Sequence, residues 1–269
     1  MLKLIFSLVL SIVLTFGAFA QHQTKLVTWN LCNFGKSKSV EEIAYIANIL
    51  KDADIVAIQE VSASNFGAQA VAKLADELNR KGAKWDYVLS DPTTGEGVER
   101  YAFLWKTATV KLHGKAWLEK SLDVQIEREP FMARFTIGDK QVLISTLHAV
   151  PKNKHPENEC RYLYKIDSIY HNEHLMLMGD FNLSQKNTAF DMLKKRKVEP
   201  VLINQKTSIK MKRKDNELLA NEYDNIFIDS KYIHQNEAGI INFAEKFLDL
   251  KEARKISDHL PVYLIFNIL

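Results

Sequence analysis

Short polar side chains follow an apolar run at residues 174–182, which read HLMLMGDFN. Positions 175–178 are too few to span a membrane and too uniformly apolar for a strand with one exposed face, so they predict a strand covered on both faces. Gly179 marks the exit of this strand, and Asp180 and Asn182 follow. Ligands of α/β sheets bind beyond the carboxyl ends of strands, and alternate residues of an extended chain point the same way. We therefore expect both side chains at a ligand site.

Several other apolar runs also begin or end at a carboxylate, amide or imidazole side chain. The residues at these positions are Asn30, Glu60, His148, Asp224, Asp258 and His259. A single residue of this kind usually forms a turn or makes a local hydrogen bond, so none of them alone indicates a function. Their repetition at strand ends predicts one rim on which the side chains converge.

The side chains on this rim suit a hard divalent cation. Carboxylate and amide oxygens are the ligands that Mg²⁺, Mn²⁺ and Ca²⁺ prefer in proteins. The rim offers such oxygens on Glu60, Asp180, Asp224, Asp258, Asn30 and Asn182. The chain has only two cysteines, and with two rim histidines they do not predict a structural zinc site. A hard cation beside histidines predicts phosphoryl chemistry.

Strand-like and helix-like segments are mixed along the whole chain after Lys25, without an internal repeat or a linker. Patterns typical of strands occupy residues 25–30, 54–60, 85–90, 101–106, 131–137, 141–148, 174–180, 225–229 and 261–266. Helices are predicted after the capping-box pair Ser39 and Glu42, and at 65–81, 159–172 and 188–197. One α/β domain, in which two packed sheets are flanked by helices, accommodates this order.

The first twenty residues, MLKLIFSLVLSIVLTFGAFA, are typical of a secretory signal peptide. They combine one lysine, a short apolar run and the small-residue pattern Ala18-Phe19-Ala20. A membrane anchor is the alternative, but the apolar stretch is short and lacks a stop-transfer flank. We predict a signal peptide at 1–20, one domain at 21–269, a secreted or periplasmic protein, and no stable membrane insertion after the signal is removed.

The charge of the mature chain is nearly balanced, because removal of Lys3 leaves 35 basic and 33 acidic residues. Two local runs, KKRK at 194–197 and KMKRK at 210–214, could contact phosphates, or could equally be solvated loops and helix ends. Cys32 and Cys160 are the only cysteines, which excludes a disulfide scaffold but does not say whether they pair. Stability must therefore come from the apolar core.

Eight segments occur in one order across nearly the whole mature chain: WNLCNFG, IVAIQEV, ERYAFLW, REPFMARF, STLHAVP, LMLMGDFN, EYDNIF and ISDHLPV. Together they resemble the deoxyribonuclease I branch of the endonuclease/exonuclease/phosphatase superfamily. The resemblance implies a four-layer α/β/β/α sandwich of two mixed sheets flanked by helices, with the active site at one edge of the sheets. It also implies that Mg²⁺ binds near Glu60, with Asn30 and Asp258 completing or supporting the site. Mn²⁺ would suit the same ligands, and Ca²⁺ could serve as a helper or structural ion.

The same resemblance assigns a pair of histidines to the scissile phosphate. His148 and His259 would flank the phosphate, oriented by Glu99 and Asp224 respectively. A carboxylate behind a histidine fixes its tautomer and stabilises its charged form, so the two histidines would act as an acid and base pair.

Three further residues complete the implied site. Asp180 and Asn182 would position or activate the attacking water and hold a phosphate oxygen. Arg128, which opens REPFMARF, resembles the phosphate-contacting arginine of the family; the alternative is an ion pair with a neighbouring carboxylate. At two positions this chain departs from the family: Ser62 stands where the family has a minor-groove arginine, and Gly97 where it has a tyrosine that stacks on sugar. We therefore expect weak duplex preference and little sequence dependence.

The predicted function is that of a secreted, monomeric, divalent-metal-dependent endonuclease that hydrolyses DNA with little sequence preference. A phosphodiesterase of the same fold could act instead on a sphingomyelin-type lipid or a nucleotide, since one fold hosts many substrates. No Trp-rich or Phe-rich loop of the kind that inserts into lipid is evident. A non-catalytic binding module or toxin subunit is the third possibility, but such a protein should have lost at least one catalytic residue, and all are present here.

Overall fold

The computed structural model describes residues 23–269, and the predicted signal peptide lies outside them. None of the helices in this part of the chain is both long and apolar enough to cross a bilayer. The strands are β1 Thr24–Phe34, β2 Ile55–Ser62, β3 Trp85–Leu89, β4 Glu99–Lys106, β5 Val110–Leu118, β6 Phe131–Ile137, β7 Lys140–His148, β8 Leu175–Asp180, β9 Val198–Pro200, β10 Ile209–Lys214, β11 Glu217–Leu219, β12 Asp224–Asp229, β13 Ile233–Ile240 and β14 Val262–Ile268. The α-helices are α1 Val40–Leu50, α2 Asn65–Asn79, α3 Glu157–Cys160, α4 Tyr164–Ile169, α5 Asp191–Lys195 and α6 Leu250–Ile256.

Twelve of these strands form two six-stranded sheets. The first has the order β13-β14-β1-β2-β4-β3, and the second has the order β5-β6-β7-β8-β12-β9. In the first sheet only β1 and β2 are parallel. In the second only β7 and β8 are parallel. The prediction of two mixed sheets is therefore confirmed. β10 and β11 pair only with each other, as a separate hairpin.

The two sheets pack face to face, and helices cover their outer faces. Leu26 and Ile55 of the first sheet share one apolar core with Ile144 and Met176 of the second. A second core joins the outer face of the first sheet to α1, α2 and α6, and a third joins the outer face of the second sheet to α3, α4 and α5. This is the predicted four-layer α/β/β/α sandwich.

Strand β8 explains why the run LMLM is apolar on both faces. All six of its residues are buried. Met176 and Met178 point into the core between the sheets, whereas Leu175 and Leu177 point to the core under the outer helices. Alternation along the strand thus places successive side chains in opposite apolar layers. The prediction of a strand covered on both faces is confirmed.

The helix signals locate the starts of α1 and α2. The Ser39 hydroxyl accepts a hydrogen bond from the amide of Glu42, and the Glu42 carboxylate accepts one from the amide of Ser39, which is the predicted capping box. The helix predicted at 65–81 spans Asn65–Asn79. The helix predicted at 159–172 is wrong in its continuity, because the structure divides that segment between α3 and α4.

Candidate active site

Strand ends from both sheets meet at one rim of the sandwich. β7 ends at His148 and lies beside the end of β8, so that His148 is in register with Asp180. On the other side of β8, Asp180 is in register with Asp224, the first residue of β12. The parallel pairing of β7 with β8 and the antiparallel pairing of β8 with β12 therefore bring these three side chains together.

Gly179 makes this convergence sterically possible. Its φ of +133° lies in a region that side chains disfavour, and a Cβ atom there would lie 2.0 Å from the carbonyl oxygen of Leu147 on β7. Only glycine allows β8 to approach β7 this closely as it delivers Asp180 to the rim. This answers why a glycine interrupts the apolar run just before two polar residues.

His148 is held by a carboxylate that also binds an arginine. Its Nδ1 lies 2.9 Å from Oε2 of Glu99, and the same oxygen accepts a hydrogen bond from Nη1 of Arg128 at 3.1 Å. His148, Glu99 and Arg128 are all buried. Burial would lower the pKa of His148, but the charge of Glu99 and its hydrogen bond outweigh burial and raise the pKa above its ordinary value. Nε2 of His148 is left facing the rim.

His259 is also paired with a carboxylate, on the side of the rim opposite His148. Its Nδ1 lies 2.8 Å from Oδ2 of Asp224. Burial would lower the pKa of His259, but the charges of Asp224 and Asp180 raise it to about 10. Burial raises the pKa of Asp224 to about 6, although the charge of His259 acts against this rise. At pH 7 the pair therefore consists of an imidazolium and a carboxylate.

Asp180 stands between the two histidines. Its Oδ2 lies 3.6 Å from Nε2 of His148 and 3.5 Å from Nε2 of His259. The same oxygen accepts a hydrogen bond from the amide nitrogen of Asn30 at 3.1 Å. Burial would raise the pKa of Asp180, but His259, His148 and hydrogen bonds lower it, so the carboxylate stays ionised. An ionised carboxylate thus faces two imidazole nitrogens at the centre of the rim.

The expected extended path from Asp180 to Asn182 is wrong. Asn182 has a left-handed backbone with φ of +48°. Its backbone amide donates to Oδ1 of Asp180 at 2.8 Å, because a short acidic side chain readily captures the amide two residues later. The Asn182 side chain donates to the carbonyl of Ala149 at 3.0 Å. A turn, rather than strand alternation, therefore keeps Asn182 at the rim.

Arg128 is bound to the protein rather than extended into solvent. Besides Glu99, it binds the carbonyl oxygen of Ala149 through Nη2 at 2.6 Å. The ion pair that was the alternative for Arg128 is therefore present, yet the residue also lines a cavity of about 580 Å³ together with Glu60 and His148. Arg128 can thus orient Glu99 and still present its guanidinium edge to a ligand in this cavity.

Glu60 is the best placed of the predicted metal ligands. Its Oε1 accepts a hydrogen bond from the side-chain nitrogen of Asn30, and its Oε2 accepts one from the amide of Asn33, each at 2.9 Å. Each oxygen keeps a free lone pair, and the side chain borders the cavity with His148. A hard divalent cation fits this carboxylate, which is partly exposed and within 4.0 Å of the histidine that faces the rim.

Asn30 and Asp258 take other positions in the site. The side-chain oxygen of Asn30 accepts from the amide of Cys32, so its nitrogen is directed at both Glu60 and Asp180. Asn30 therefore supports two carboxylates through its side-chain nitrogen. The Asp258 carboxylate binds Nη2 of Arg254 at 2.9 Å.

One further group of side chains has the spacing of a metal site. Ligand atoms of Asp180, Asp224 and His259 lie within 4.8 Å of one another. However, both ring nitrogens of His259 face carboxylates, and its raised pKa keeps the ring charged. The imidazolium already supplies a cation to this group, so Glu60 is the better candidate for binding a metal.

Sequence reasoning missed Thr207, which is fully buried beside the pair formed by His259 and Asp224. Its hydroxyl donates to Oδ2 of Asp224 at 2.6 Å, the same oxygen that faces His259, and accepts from the amide of Asp224 at 2.9 Å. Thr207 lies between predicted elements in a lysine-rich segment, and nothing in its local pattern distinguishes it from a loop residue.

Several known proteins are similar to this chain in sequence. A family model described as the endonuclease/exonuclease/phosphatase family matches residues 27–259. A protein named deoxyribonuclease from Thioalkalivibrio sp. (strain K90mix) is 29% identical, with an alignment that covers 97% of this chain and 75% of the relative. Deoxyribonuclease-1 of Oryctolagus cuniculus is 31% identical over 59% of this chain and 60% of its own length, so the match spans less than two thirds of that relative.

The fold is also found among solved structures. An endonuclease/exonuclease/phosphatase family protein from Bacteroides thetaiotaomicron superposes with a TM-score of 0.67 at 16% identity. The match covers 92% of this chain and 98% of that protein. At this identity the likeness concerns the fold alone.

Proposed function

Because the chain belongs to the endonuclease/exonuclease/phosphatase family, we propose that it is a divalent-metal-dependent endonuclease that hydrolyses the phosphodiester bonds of DNA with little sequence preference. One observation carries the proposal: two carboxylate-paired histidines converge on Oδ2 of Asp180, at 3.6 Å from His148 and 3.5 Å from His259. The relatives named deoxyribonuclease support DNA as the substrate. The predicted signal peptide supports export to the periplasm or the medium.

Hydrolysis of a phosphodiester requires a positioned water, neutralised phosphate oxygens and a proton for the leaving oxygen. In this proposal Asp180 accepts the proton of the attacking water at Oδ2, because its carboxylate is ionised and faces the rim. His259 does not act as the base, since its pKa of about 10 keeps it protonated at neutral pH. Its imidazolium Nε2 instead stabilises the charge on a phosphate oxygen.

The other wall of the site serves the leaving group. The pKa of His148 is raised by Glu99 against the effect of burial, which favours a protonated ring that can donate from Nε2. Glu99 holds the opposite nitrogen and thereby fixes the orientation of the ring. Arg128, at the edge of the same cavity, binds a non-reacting phosphate oxygen.

A divalent cation, with Mg²⁺ the natural choice for oxygen ligands, would be held by Glu60, and when bound it neutralises phosphate charge during the reaction. Asn30 contributes by holding the carboxylates of Glu60 and Asp180 at fixed positions through one amide nitrogen. Removal of Asn30 would leave two neighbouring acidic groups without that common donor.

A substrate panel tests the proposal against its alternatives. The purified protein is given supercoiled plasmid, single-stranded DNA, RNA and sphingomyelin vesicles, each with Mg²⁺ and with EDTA. We expect Mg²⁺-dependent cleavage of DNA and no release of phosphocholine from the vesicles. Cleavage of sphingomyelin without any cleavage of nucleic acid would replace the proposed substrate with a lipid, and turnover in excess EDTA would remove the metal from the proposal.

A further inference from the structure

The hairpin formed by β10 and β11 is attached directly to the wall of the site that carries His259. Ser208, just before β10, pairs with His259 as an isolated β-bridge. The amide of Ile209 donates to the carbonyl of Asp258 at 2.7 Å. On the other side, Nη1 of Arg254 in α6 donates to the carbonyl of Ile209 at 2.6 Å. These contacts fix the base of the hairpin relative to the candidate catalytic residues.

The rest of the hairpin is also a defined structure rather than a loose loop. Asp215 and Asn216 form its turn, with φ values of +54° and +61°. Two successive left-handed residues are typical of the tight turn whose twist matches a two-stranded hairpin. Near the turn, Nη2 of Arg213 donates to the carbonyl of Phe247 at 2.9 Å, which holds β10 against the neighbouring segment.

Positive charge is in excess on this arm. Lys206 and Lys210 both bind the carboxylate of Glu217, and these hydrogen bonds lower its pKa to about 2. Lys210, Lys212 and Lys214 all lie on β10, whose register against β11 shifts between Ile209 and Lys214. Lys212 and Lys214 are exposed, and no acidic group within residues 23–269 lies at ion-pair distance from either. Two lysines of the arm therefore have their charge available to a ligand.

A cleft connects the arm to the candidate catalytic rim. A cavity of about 580 Å³ is lined by Asn182 and Tyr223, which adjoin the rim residues Asp180 and Asp224, and by Lys206 and Asn221, which flank the hairpin. Lys152 lies along the same cavity. A chain bound at the rim can thus continue along this cavity to the arm, past Lys152 and Lys206 as well as the carboxylates of Glu157 and Glu222.

We propose that the β10–β11 hairpin binds the phosphate backbone of the nucleic acid strand where it continues beyond the scissile bond. This inference rests on the proposed function. The five residue steps from Ile209 to Lys214 span at most roughly 17 Å, because the register shift in β10 shortens the strand. This length corresponds to about five nucleotides of duplex at 3.4 Å each. Because phosphates carry no sequence information, such contacts would add affinity without adding specificity.

This arm also offers a physical reason why the chain functions with Ser62 and Gly97 in the other cavity. The hydroxyl of Ser62 supplies no cation or aromatic surface for nucleic acid, and Gly97 has no side chain at all. A basic arm on the opposite side of the rim provides a grip of a different kind, one that depends on charge alone and is therefore sensitive to salt.

The test compares the double variant K212Q/K214Q with K111Q/K115Q, in which two exposed lysines of the edge strand β5 lose the same charge. Binding to a fluorescent 20-nucleotide duplex and to its single strand is measured by anisotropy in EDTA, over a range of salt concentrations. Each lost phosphate contact lowers the slope of log K against log salt by about 0.9 for duplex and about 0.7 for single strand.

We expect K212Q/K214Q to lower the duplex slope by about 1.8, and to weaken binding by about 10- to 60-fold at 0.1 M salt. The control variant should bind as the unmodified protein does. If both variants keep the original affinity and slope while all three proteins nick plasmid in Mg²⁺, the hairpin proposal is wrong and the proposed function stands. If the unmodified protein neither binds nor cleaves nucleic acid, the proposed function fails and the hairpin proposal fails with it.

Discussion

Nδ1 of His259 lies 2.8 Å from Oδ2 of Asp224, and both side chains are buried at the rim of the sandwich. The pair forms the middle of a chain of contacts that begins with Thr207 and continues through Asp224 and His259 to Asp180. Each member restricts the next, so the direction in which Nε2 of His259 points is set by residues that a substrate would not touch.

The first prediction concerns pH and stability. Burial would lower the pKa of His259, but Asp224 and Asp180 raise it to about 10. A histidine whose pKa is higher in the folded than in the unfolded state stabilises the folded protein when it is protonated. This contribution is fully present below the unfolded pKa of about 6.5 and is lost as pH rises through the folded pKa. We expect the free energy of unfolding to fall between about pH 7 and 10 by on the order of a few kcal/mol, measured by urea unfolding. The variant H259Q should lack this decline, and parallel curves for the two proteins would contradict the assignment.

The second prediction concerns the hydroxyl of Thr207. The change T207V keeps the shape but removes the donor to Oδ2 of Asp224, whereas T207S keeps the donor. Because a hydrogen bond to a buried carboxylate is lost, we expect kcat on plasmid to fall by about tenfold with KM little changed. T207S should retain most of the activity. Equal kcat values for the valine and serine variants would show that the hydroxyl has no part in positioning the pair.

A third prediction separates two of the candidate metal ligands. Glu60 borders the open cavity, whereas Asp258 is held by Arg254. We expect E60Q to abolish Mg²⁺-dependent nicking and to weaken Mg²⁺ binding in calorimetry, while circular dichroism shows an intact fold. D258N should have the smaller effect on Mg²⁺ binding. The reverse order would place the metal at Asp258.

The fourth prediction concerns the minor-groove arginine that Ser62 replaces. Ser62 lines the cavity beside His148, and its hydroxyl lies 2.8 Å from that of Ser64. An arginine at this position can reach the minor groove, so S62R should bind duplex DNA more tightly and increase the salt slope by about 0.9. Anisotropy with duplex and single strand measures both. The matched variant S168R, on the exposed side of α4, should change neither, and an equal gain in both proteins would reflect added charge alone.

The sequence predicted the buried parts of this molecule well, because burial leaves a periodic pattern. β8 is recognisable from its apolar run, and α1 from its capping box. Elements at the edges left weaker signals. β5 and β13 leave no strand signal in the sequence, since most of their residues are exposed or half-buried and polar side chains interrupt any apolar alternation. The hairpin is recognisable in the sequence only as a charged segment, because a lysine-rich run indicates a solvated face but not its backbone structure.

The site shows the same division between pattern and tertiary contact. The rim residues can be predicted because apolar runs that end at polar side chains are recognisable in the sequence. The turn at Asn182 could not be found in this way, since its left-handed backbone depends on capture of its amide by the Asp180 carboxylate. The sequence pattern also does not reveal that Asn30 binds Glu60 and Asp180, which lie 30 and 150 residues further along the chain. Contacts of that separation leave no periodic signal.

The most direct test is nicking of supercoiled plasmid by the unmodified protein, by H148A, and by H234A as a control at an exposed histidine of β13. Each is assayed with Mg²⁺ and with EDTA after circular dichroism has shown that it is folded. We expect Mg²⁺-dependent open circles from the unmodified protein and from H234A, and a loss of about 10² to 10⁴ in rate for H148A. Nicking by folded H148A at the unmodified rate, or no nicking by any of the three with a divalent ion, would contradict the proposed active site.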